Sequence, residues 1–469
     1  MTKAWRIVLI AVFVFSLFAA PVNQVSAKPE SNWKVDGSYL VMMKNGKVPA
    51  NIAAQVQKAG GVVTSVIPQL GIAVVSSGAA NFDAKMSAVA GVEAVMPNLK
   101  TGYFDPPVQE AVEVDFANPP FSGDDDFRFD LQWGHDAIDA VEAWELGYRG
   151  AGVRVAVMDT GFDMDHVDLA PNINYALSMS FVPGEDVSYA LPDSFSHGTH
   201  TAGTIGAADN AFGTIGVAPE VELVLLKVLG DAGSGEFDYL LQAIVYAADN
   251  GVDVANMSLG ALIPLRDLTA EERAEVRDLE KMLQRVAKYA DQRGMTLIAS
   301  AGNEATHLNP GEYVHLPSDA PGFISVAATT PIGWATDPLN AYFFYPTSYT
   351  NYGVPAVDFS APGGDTLYPG NENCEIGGLV RPCWVFDLVF STGSSLDPTI
   401  ASYYWSGGTS MSAPHVTGVA ALVIGKYGGS LKPNKVESIL RQSAIDVEPN
   451  GRDPFHGHGQ VNAYQAVQR

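Results

Sequence analysis

The sequence predicts an α/β fold, a mostly parallel sheet flanked by helices, preceded by a small α+β unit of ferredoxin-like type. Three observations carry this expectation. From residue 153 onward, apolar stretches of strand length alternate with helical stretches, the pattern of a parallel sheet covered on both faces. Residues 153–158 form an apolar run ending in Asp159-Thr160-Gly161, as a buried parallel strand does when it delivers a carboxylate to the sheet's carboxyl edge. The region 38–96 reads as strand, helix, strand, strand, helix, strand, which is the split βαβ order.

In chain order, Lys3 and Arg6 precede an apolar run over 7–20, then Pro21 and Val25-Ser26-Ala27. The run is short for a membrane span, so residues 1–27 read as a secretory signal peptide, with a retained anchor as the other reading. An exported protein is expected, and no later segment reads as transmembrane. The small unit occupies 28–104, with strands at 38–42, 61–66, 71–76 and 92–96 and helices at 50–59 and 82–90. Residues 105–130 are a linker and N-terminal arm rich in proline and acid, including Asp105-Pro106-Pro107 and Asp124-Asp125-Asp126. The large domain spans 131–469. Its strands at 221–228, 252–259 and 296–299 alternate with helices at 237–248 and 269–292. The last of these carries a capping box, Thr269 with Glu272, and Gly294 to close it.

Charge excludes whole classes of partner. With 52 acidic and 27 basic residues the net charge is -25, which argues against nucleic acid and against an anionic membrane surface. An acidic surface serves solubility, cation binding and salt adaptation alike, and composition does not choose among them. Cys374 and Cys383 are the only cysteines. In an exported protein they suggest one short-range disulfide, with two free thiols as the alternative.

Four segments carry chemistry. Ser410 lies in Gly408-Thr409-Ser410-Met411-Ser412-Ala413-Pro414-His415, at the mouth of an apolar helical run over 416–424. A serine hydroxyl is a poor nucleophile without an adjacent base, and a helix start supplies N–H groups and positive dipole for developing negative charge. His197 opens a helix of very small residues, Asp159 ends the apolar strand, and Asn303 lies in Ser300-Ala301-Gly302-Asn303-Glu304. Each alone has a plainer reading, as a helix cap, a loop acid or a turn asparagine. His197 and His200, three apart, raise the thought of a metal hydrolase, but His-Glu-x-x-His is missing and two cysteines make no thiolate site. His200 and His166 read as packing or hydrogen-bonded histidines.

Aspartate, histidine and serine in that chain order resemble the subtilisin-like serine endopeptidases over nearly the whole chain. The resemblance implies Asp159 as orienter, His197 as general base, Ser410 as nucleophile and Asn303 as oxyanion-hole donor. Ser412-Ala413 stands where many relatives carry Ala-Ser, a swap of small residues outside the triad. Ser258-Leu259-Gly260 looks like the wall of the first specificity pocket, pairing with extended peptide by strand addition, and His315-Leu316-Pro317 lies near its floor. Residues 208–214 match a calcium loop, with the carbonyls of Ala208, Phe212 and Thr214, the Asn210 amide oxygen, the Asp168 carboxylate and Asp125 as ligands; a solvated surface turn is the plainer reading. Asp209 reads as solvent-facing. The unit 28–104 resembles an inhibitory propeptide, an independent binding domain being the alternative, and a cut near Tyr103-Phe104 is expected. The implied protein is a secreted, self-processing, monomeric peptidase, held inactive by its own propeptide and free of the membrane once processed. Gly457-His458-Gly459-Gln460-Val461-Asn462 resembles the family's C-terminal motif, and no further domain is expected beyond Arg469. The competing class is a catalytically silent secreted binding scaffold, which no residue favours because every triad and oxyanion position is filled.

Overall fold

The computed structural model describes residues 33–103, 110–112, 124–191, 195–447 and 449–469. The signal-peptide reading, together with Phe104 and Asp105, lies outside these residues.

The N-terminal unit runs β1 (Lys34–Met43), α1 (Ile52–Ala59), β2 (Val62–Ile67), β3 (Ile72–Ser76), α2 (Phe82–Ser87) and β4 (Val92–Gly102). Its strands pair antiparallel in the order β2-β3-β1-β4. On α1 the residues Ile52, Val56 and Ala59 recur at helical spacing and pack with Phe82 and Met86 of α2 against one face of the sheet. Gly60 ends α1 at φ 99°, a left-handed position that favours glycine.

The large domain is built on β5 (Arg154–Asp159), β6 (Glu222–Lys227), β7 (Ser234–Glu236), β8 (Val254–Met257), β9 (Thr296–Ser300), β10 (Phe323–Thr330) and β11 (Phe359–Pro362). Its main helices are α3 (His197–Gly206), α4 (Phe237–Asp249), α5 (Ala270–Asp291) and α6 (Thr409–Lys426). The central sheet reads β6-β5-β8-β9-β10-β11, all parallel, with Val155 of β5 opposite both Leu223 and Val254. The short strand Tyr345–Pro346 adds an antiparallel edge to β10. The strands are buried almost throughout, as a sheet covered on both faces requires. Residues 409–424 of α6 are wholly buried, so the helix runs through the core rather than over it. Close packing there needs glycine: a methyl on Gly418 would lie 2.5 Å from Val217 Cβ. The charged helix α5 begins as expected, with Thr269 Oγ1 accepting from Glu272 N–H and Glu272 Oε2 accepting from Thr269 N–H. Cys374 and Cys383 form a disulfide across the hairpin Asn373–Ile376 and Leu379–Pro382.

Two elements differ from expectation. Helix α2 stops at Ser87, three residues early, and β4 continues to Gly102 instead of ending at 96. The extension has a partner remote in sequence: Lys100, Thr101 and Gly102 pair with Glu236, Gly235 and Ser234 of β7. The N-terminal sheet thereby gains a fifth strand from the large domain. Its other face shares one apolar cluster with the large domain, Leu40, Met42 and Met96 meeting Leu240, Leu241, Ile244 and Leu283 of α4 and α5. Polar contacts frame this face. Lys34 reaches Glu275 at 2.7 Å, Arg285 reaches Glu93 at 2.8 Å and the carbonyls of Met43 and Leu70, and Asn98 bridges Glu236 and Asp238.

Arg285→Ala removes three of these contacts at once, at a cost on the order of 1 kcal/mol each. In a Ser410→Ala background, hydrogen exchange in β1 and β3 should quicken while β8 and β9 stay protected. Unchanged protection in β1 and β3 would show that apolar contact alone holds the unit.

Candidate active site

Asp159 is the last residue of β5, and its side chain is fully buried. A buried carboxylate requires donors, and three converge on it. Oδ1 accepts from Thr160 N–H at 2.7 Å and from His197 Nδ1 at 2.6 Å, while Oδ2 accepts from Thr201 Oγ1 at 3.0 Å. A carboxylate paired in this way can only accept, so Nδ1 carries the imidazole proton and Nε2 is the basic nitrogen. His197 opens α3, whose start is fixed by Ser196 Oγ accepting from Thr199 N–H and by Gly198 N–H donating to Thr160 Oγ1. His200 and His166 stand apart from this chemistry, with Nε2 against the carbonyls of Tyr404 at 3.2 Å and Ser402 at 3.0 Å. Burial pushes the His200 imidazole down to about 3, which keeps it neutral.

Ser410 is the second residue of α6. Pro414, four residues on, has no N–H with which to close the helical bond to the Ser410 carbonyl. That carbonyl instead accepts from Ser258 Oγ at 2.7 Å, and Ser258 Oγ is held in turn by Asn256 Nδ2 at 3.0 Å. Asn256 also accepts from Thr417 Oγ1 at 3.1 Å, about two turns further along α6. The start of α6 is thus tied to the end of β8 by hydrogen bonds that each use at least one side chain. Ser410 Oγ lies 3.5 Å from the Ser258 carbonyl, the outer limit of a hydrogen bond.

Thr409 fixes Asn303. Its N–H and its hydroxyl both donate to Asn303 Oδ1, at 2.8 and 2.7 Å, and its Oγ1 accepts from Gly302 N–H at 3.1 Å. A backbone N–H can only donate, so the atom facing Thr409 is the amide oxygen and the amide nitrogen points the other way. Behind it, Asn351 Nδ2 donates to Glu304 Oε2 and to the Ala301 carbonyl, while Asn351 Oδ1 accepts from the N–H groups of Glu304 and Thr306. Burial raises the Glu304 carboxyl above its ordinary range.

The cleft is a slot that accepts a strand. Gly102 exchanges two backbone hydrogen bonds with Gly260, its N–H donating at 3.2 Å and its carbonyl accepting at 2.8 Å, while β7 pairs on its other side. Tyr103 then stacks on His197, ring centroids 3.9 Å apart and planes 12° apart. His315 fills the space beyond. A methyl on Gly260 would come 2.6 Å from His315 Nε2, and one on Gly302 2.8 Å from its Cδ2, so the imidazole lies between the two glycine walls. Ser318 Oγ holds its Nδ1 at 2.8 Å, and burial lowers its pKa to about 4. The residues at 315 were expected near a pocket floor; the supporting pair Glu304–Asn351 was not legible, since Asn351 has no motif around it.

A model of the subtilase family matches residues 150–459. The chain belongs to the subtilase family. Subtilisin Savinase from Lederbergia lenta is 32% identical over 339 residues, 72% of this chain and 98% of that protein. Subtilisin E from Bacillus subtilis strain 168 is 31% identical over 341 residues, 72% of this chain and 71% of that protein. Among solved structures, fervidolysin from Fervidobacterium pennivorans superposes with TM-score 0.69 at 23% identity, over 94% of this chain and 62% of that one. The epidermin leader peptide processing protease of Staphylococcus aureus gives 0.69 at 21%, over 92% and 97%. This subtilase is a subtilisin-like serine endopeptidase.

Subtilases commonly bind structural calcium, and the expected ligand set divides into two places here. Asp168 is buried, with Oδ2 accepting from Thr214 N–H at 2.8 Å, Thr214 Oγ1 at 3.2 Å and Tyr403 OH at 2.9 Å. Asn210 turns its Nδ2 to Asp168 Oδ1 at 3.4 Å, and the Gly213 carbonyl accepts from Arg128 N–H. Asp168 is therefore served by donors. Ala208 N–H donates to the Asp168 carbonyl and Phe212 N–H to Asp126 Oδ1, so the loop is tied at both ends. Asp125 is exposed and lies with Asp124, Asp126 and Asp209, and Asn210 links this cluster to Asp168 by donating its N–H to Asp126 and its Nδ2 to Asp168. Asp209 is exposed, as read from sequence, and touches Arg149.

Two substitutions test the geometry. Asn303→Ala should lower kcat by ~10²–10³ with little change in KM, the loss known for the oxyanion-hole asparagine of subtilisin itself; a rise in KM at constant kcat would exclude the role. Ser258→Ala should leave the Ser410 carbonyl unpaired and cost about 1–3 kcal/mol. Thermal melting in a Ser410→Ala background reads it, and an unchanged Tm would mean that the carbonyl finds another donor.

Proposed function

We propose that this subtilase is exported and matures by cutting its own chain after Phe104, with residues 28–104 then acting as an inhibitor lodged in the cleft. Asp159 orients His197; His197 Nε2 takes the Ser410 Oγ proton as the oxygen attacks the carbonyl, then gives it to the leaving amine. Asn303 Nδ2 and the Ser410 N–H stabilise the oxyanion, and water releases the acyl group by the same steps in reverse. Burial of the site beneath the bound strand excludes competing water during attack.

The observation that carries this reading is the register of the bound segment. Gly102 pairs with Gly260 and Tyr103 stacks on His197, which brings the chain to the cleft with Phe104 next in sequence. An aromatic pair suits a cleft lined by the buried, neutral His315 imidazole, and the same aromatic preference extends to peptide substrates. Export is supported by the charged, then apolar, start of the chain.

In a host lacking other proteases, the wild-type chain should yield an N-terminus at Asp105, and Ser410→Ala should accumulate uncut and fail to react with a fluorophosphonate probe. N-terminal sequencing decides. Cutting of Ser410→Ala would exclude self-processing, and a mature start before Ala90 would exclude the register.

A further inference from the structure

A cavity of about 400 Å³, the size of a small-ligand site, shares no lining residue with the triad, the glycine walls or the docked face of the N-terminal unit. Three segments far apart in sequence enclose it: the first turns of the large domain, the loop after β10 and the disulfide-closed hairpin. Trp133, Trp334 and Leu339 supply apolar surface, and Asp130, Asp136 and Glu375 supply carboxyl groups. No lysine, arginine or histidine lines it.

Two residues of its wall carry buried atoms that lack partners of opposite kind. Trp334 is 4% exposed, yet its indole Nε1–H meets no acceptor. Asp130 Oδ2 is also buried and meets no donor. A buried indole N–H normally finds a partner, as that of Trp133 does at the Leu388 carbonyl, 2.9 Å away. Leaving such atoms unpaired is costly unless something outside the chain completes them. Burial and the nearby Asp136 carboxylate raise the Asp130 carboxyl to about 7, a penalty that a cation in the cavity would remove.

The missing groups define the ligand. The carboxylate requires a cationic donor, the indole N–H an acceptor, and the aromatic walls a hydrocarbon stem, which indole faces accept together with its charge. An arginine or lysine residue within a polypeptide carries all three, its own carbonyl being the acceptor. A simple amine lacks that carbonyl, and a metal ion lacks both carbonyl and stem. We propose that this cavity binds one arginine or lysine residue of a protein substrate, with the cation at Asp130 and a peptide carbonyl at Trp334 Nε1. It is a second contact outside the cleft, and it favours the basic chains that a net charge of -25 already attracts. The proposal rests on peptidase activity alone and not on the register of self-processing.

The test uses the full-length Ser410→Ala protein, whose cleft keeps its own strand, titrated by calorimetry with N-acetyl-arginine methylamide. The citrulline counterpart has the same shape without the charge, and butylguanidinium has the charge without the carbonyl. The arginine probe should bind, and the other two should bind about tenfold more weakly, the effect of losing one charge-assisted hydrogen bond. Asp130→Asn and Trp334→Phe should each weaken the arginine probe by about the same factor. Asp130 is half-buried and Glu375 exposed. If Asp130→Asn fails to fold by circular dichroism, Glu375→Gln at the rim decides, and it should lower the affinity for the arginine probe and not for butylguanidinium's neutral analogue, butylurea. Equal affinity for the arginine and citrulline probes, undiminished binding by folded Asp130→Asn or by Glu375→Gln, or no binding to the parent protein at millimolar probe would each overturn the proposal.

Discussion

Pro414 cannot donate to the Ser410 carbonyl, and much of the site follows from where that carbonyl goes. A buried carbonyl left unpaired costs about 1–3 kcal/mol, so a donor must be supplied from outside the helix. Ser258 supplies it, and Ser258 is also the first residue of the segment whose Gly260 pairs with Gly102. The cleft wall and the start of α6 are therefore one mechanical unit. Asn256 and Thr417 extend it about two turns along the helix, which fixes α6 in rotation as well as in position. Ser410 and the wall that pairs with Gly102 are then aligned by the same few hydrogen bonds.

Asp159 obeys a related constraint. It is a fully buried carboxylate, and burying it requires donors that cannot move away. Two of them, Thr160 N–H and Thr201 Oγ1, come from the elements that already carry Asp159 and His197. The carboxylate is thus held independently of the imidazole it orients. Thr409 plays the same part for Asn303, by presenting two donors to one oxygen and so turning the amide nitrogen the other way. The two threonines differ in means: Thr409 uses its hydroxyl as well as its N–H, whereas Thr160 serves Asp159 by its backbone N–H and sets its hydroxyl against Gly198 N–H at the start of α3.

The legible features were those whose cause is local. The capping box of α5, the strand that ends at Asp159, the small residues of α3 and the serine turn are each specified within a dozen residues, and each lies where the sequence placed it. What escaped depends on partners far along the chain. Nothing in residues 97–102 announces a strand, because their apolar alternation is weak and their partner β7 lies more than a hundred residues on. Asn351 and Glu304 meet only through the fold, and Asp126, one of three adjacent acids, is singled out by burial alone. Short motifs encode chemistry; the shells that support it are dispersed.

Alternation in the N-terminal sheet explains why that unit belongs to the large domain. In β1, Val41 and Met43 face α1 and α2, whereas Leu40 and Met42 face α4 and α5; in β3, Ala73 and Val75 divide from Ile72 and Val74 in the same way. The unit has a small core of its own on one side only. Separated, it would expose a continuous apolar face to water, and a sheet covered on one side by two short helices has little burial to offset the entropy of its chain. The large domain is not symmetric in this dependence, since its own core continues beneath α6 on the far side of the central sheet. Attachment rests on strand pairing and on a shared core, and neither contact passes through the backbone of residues 104–123.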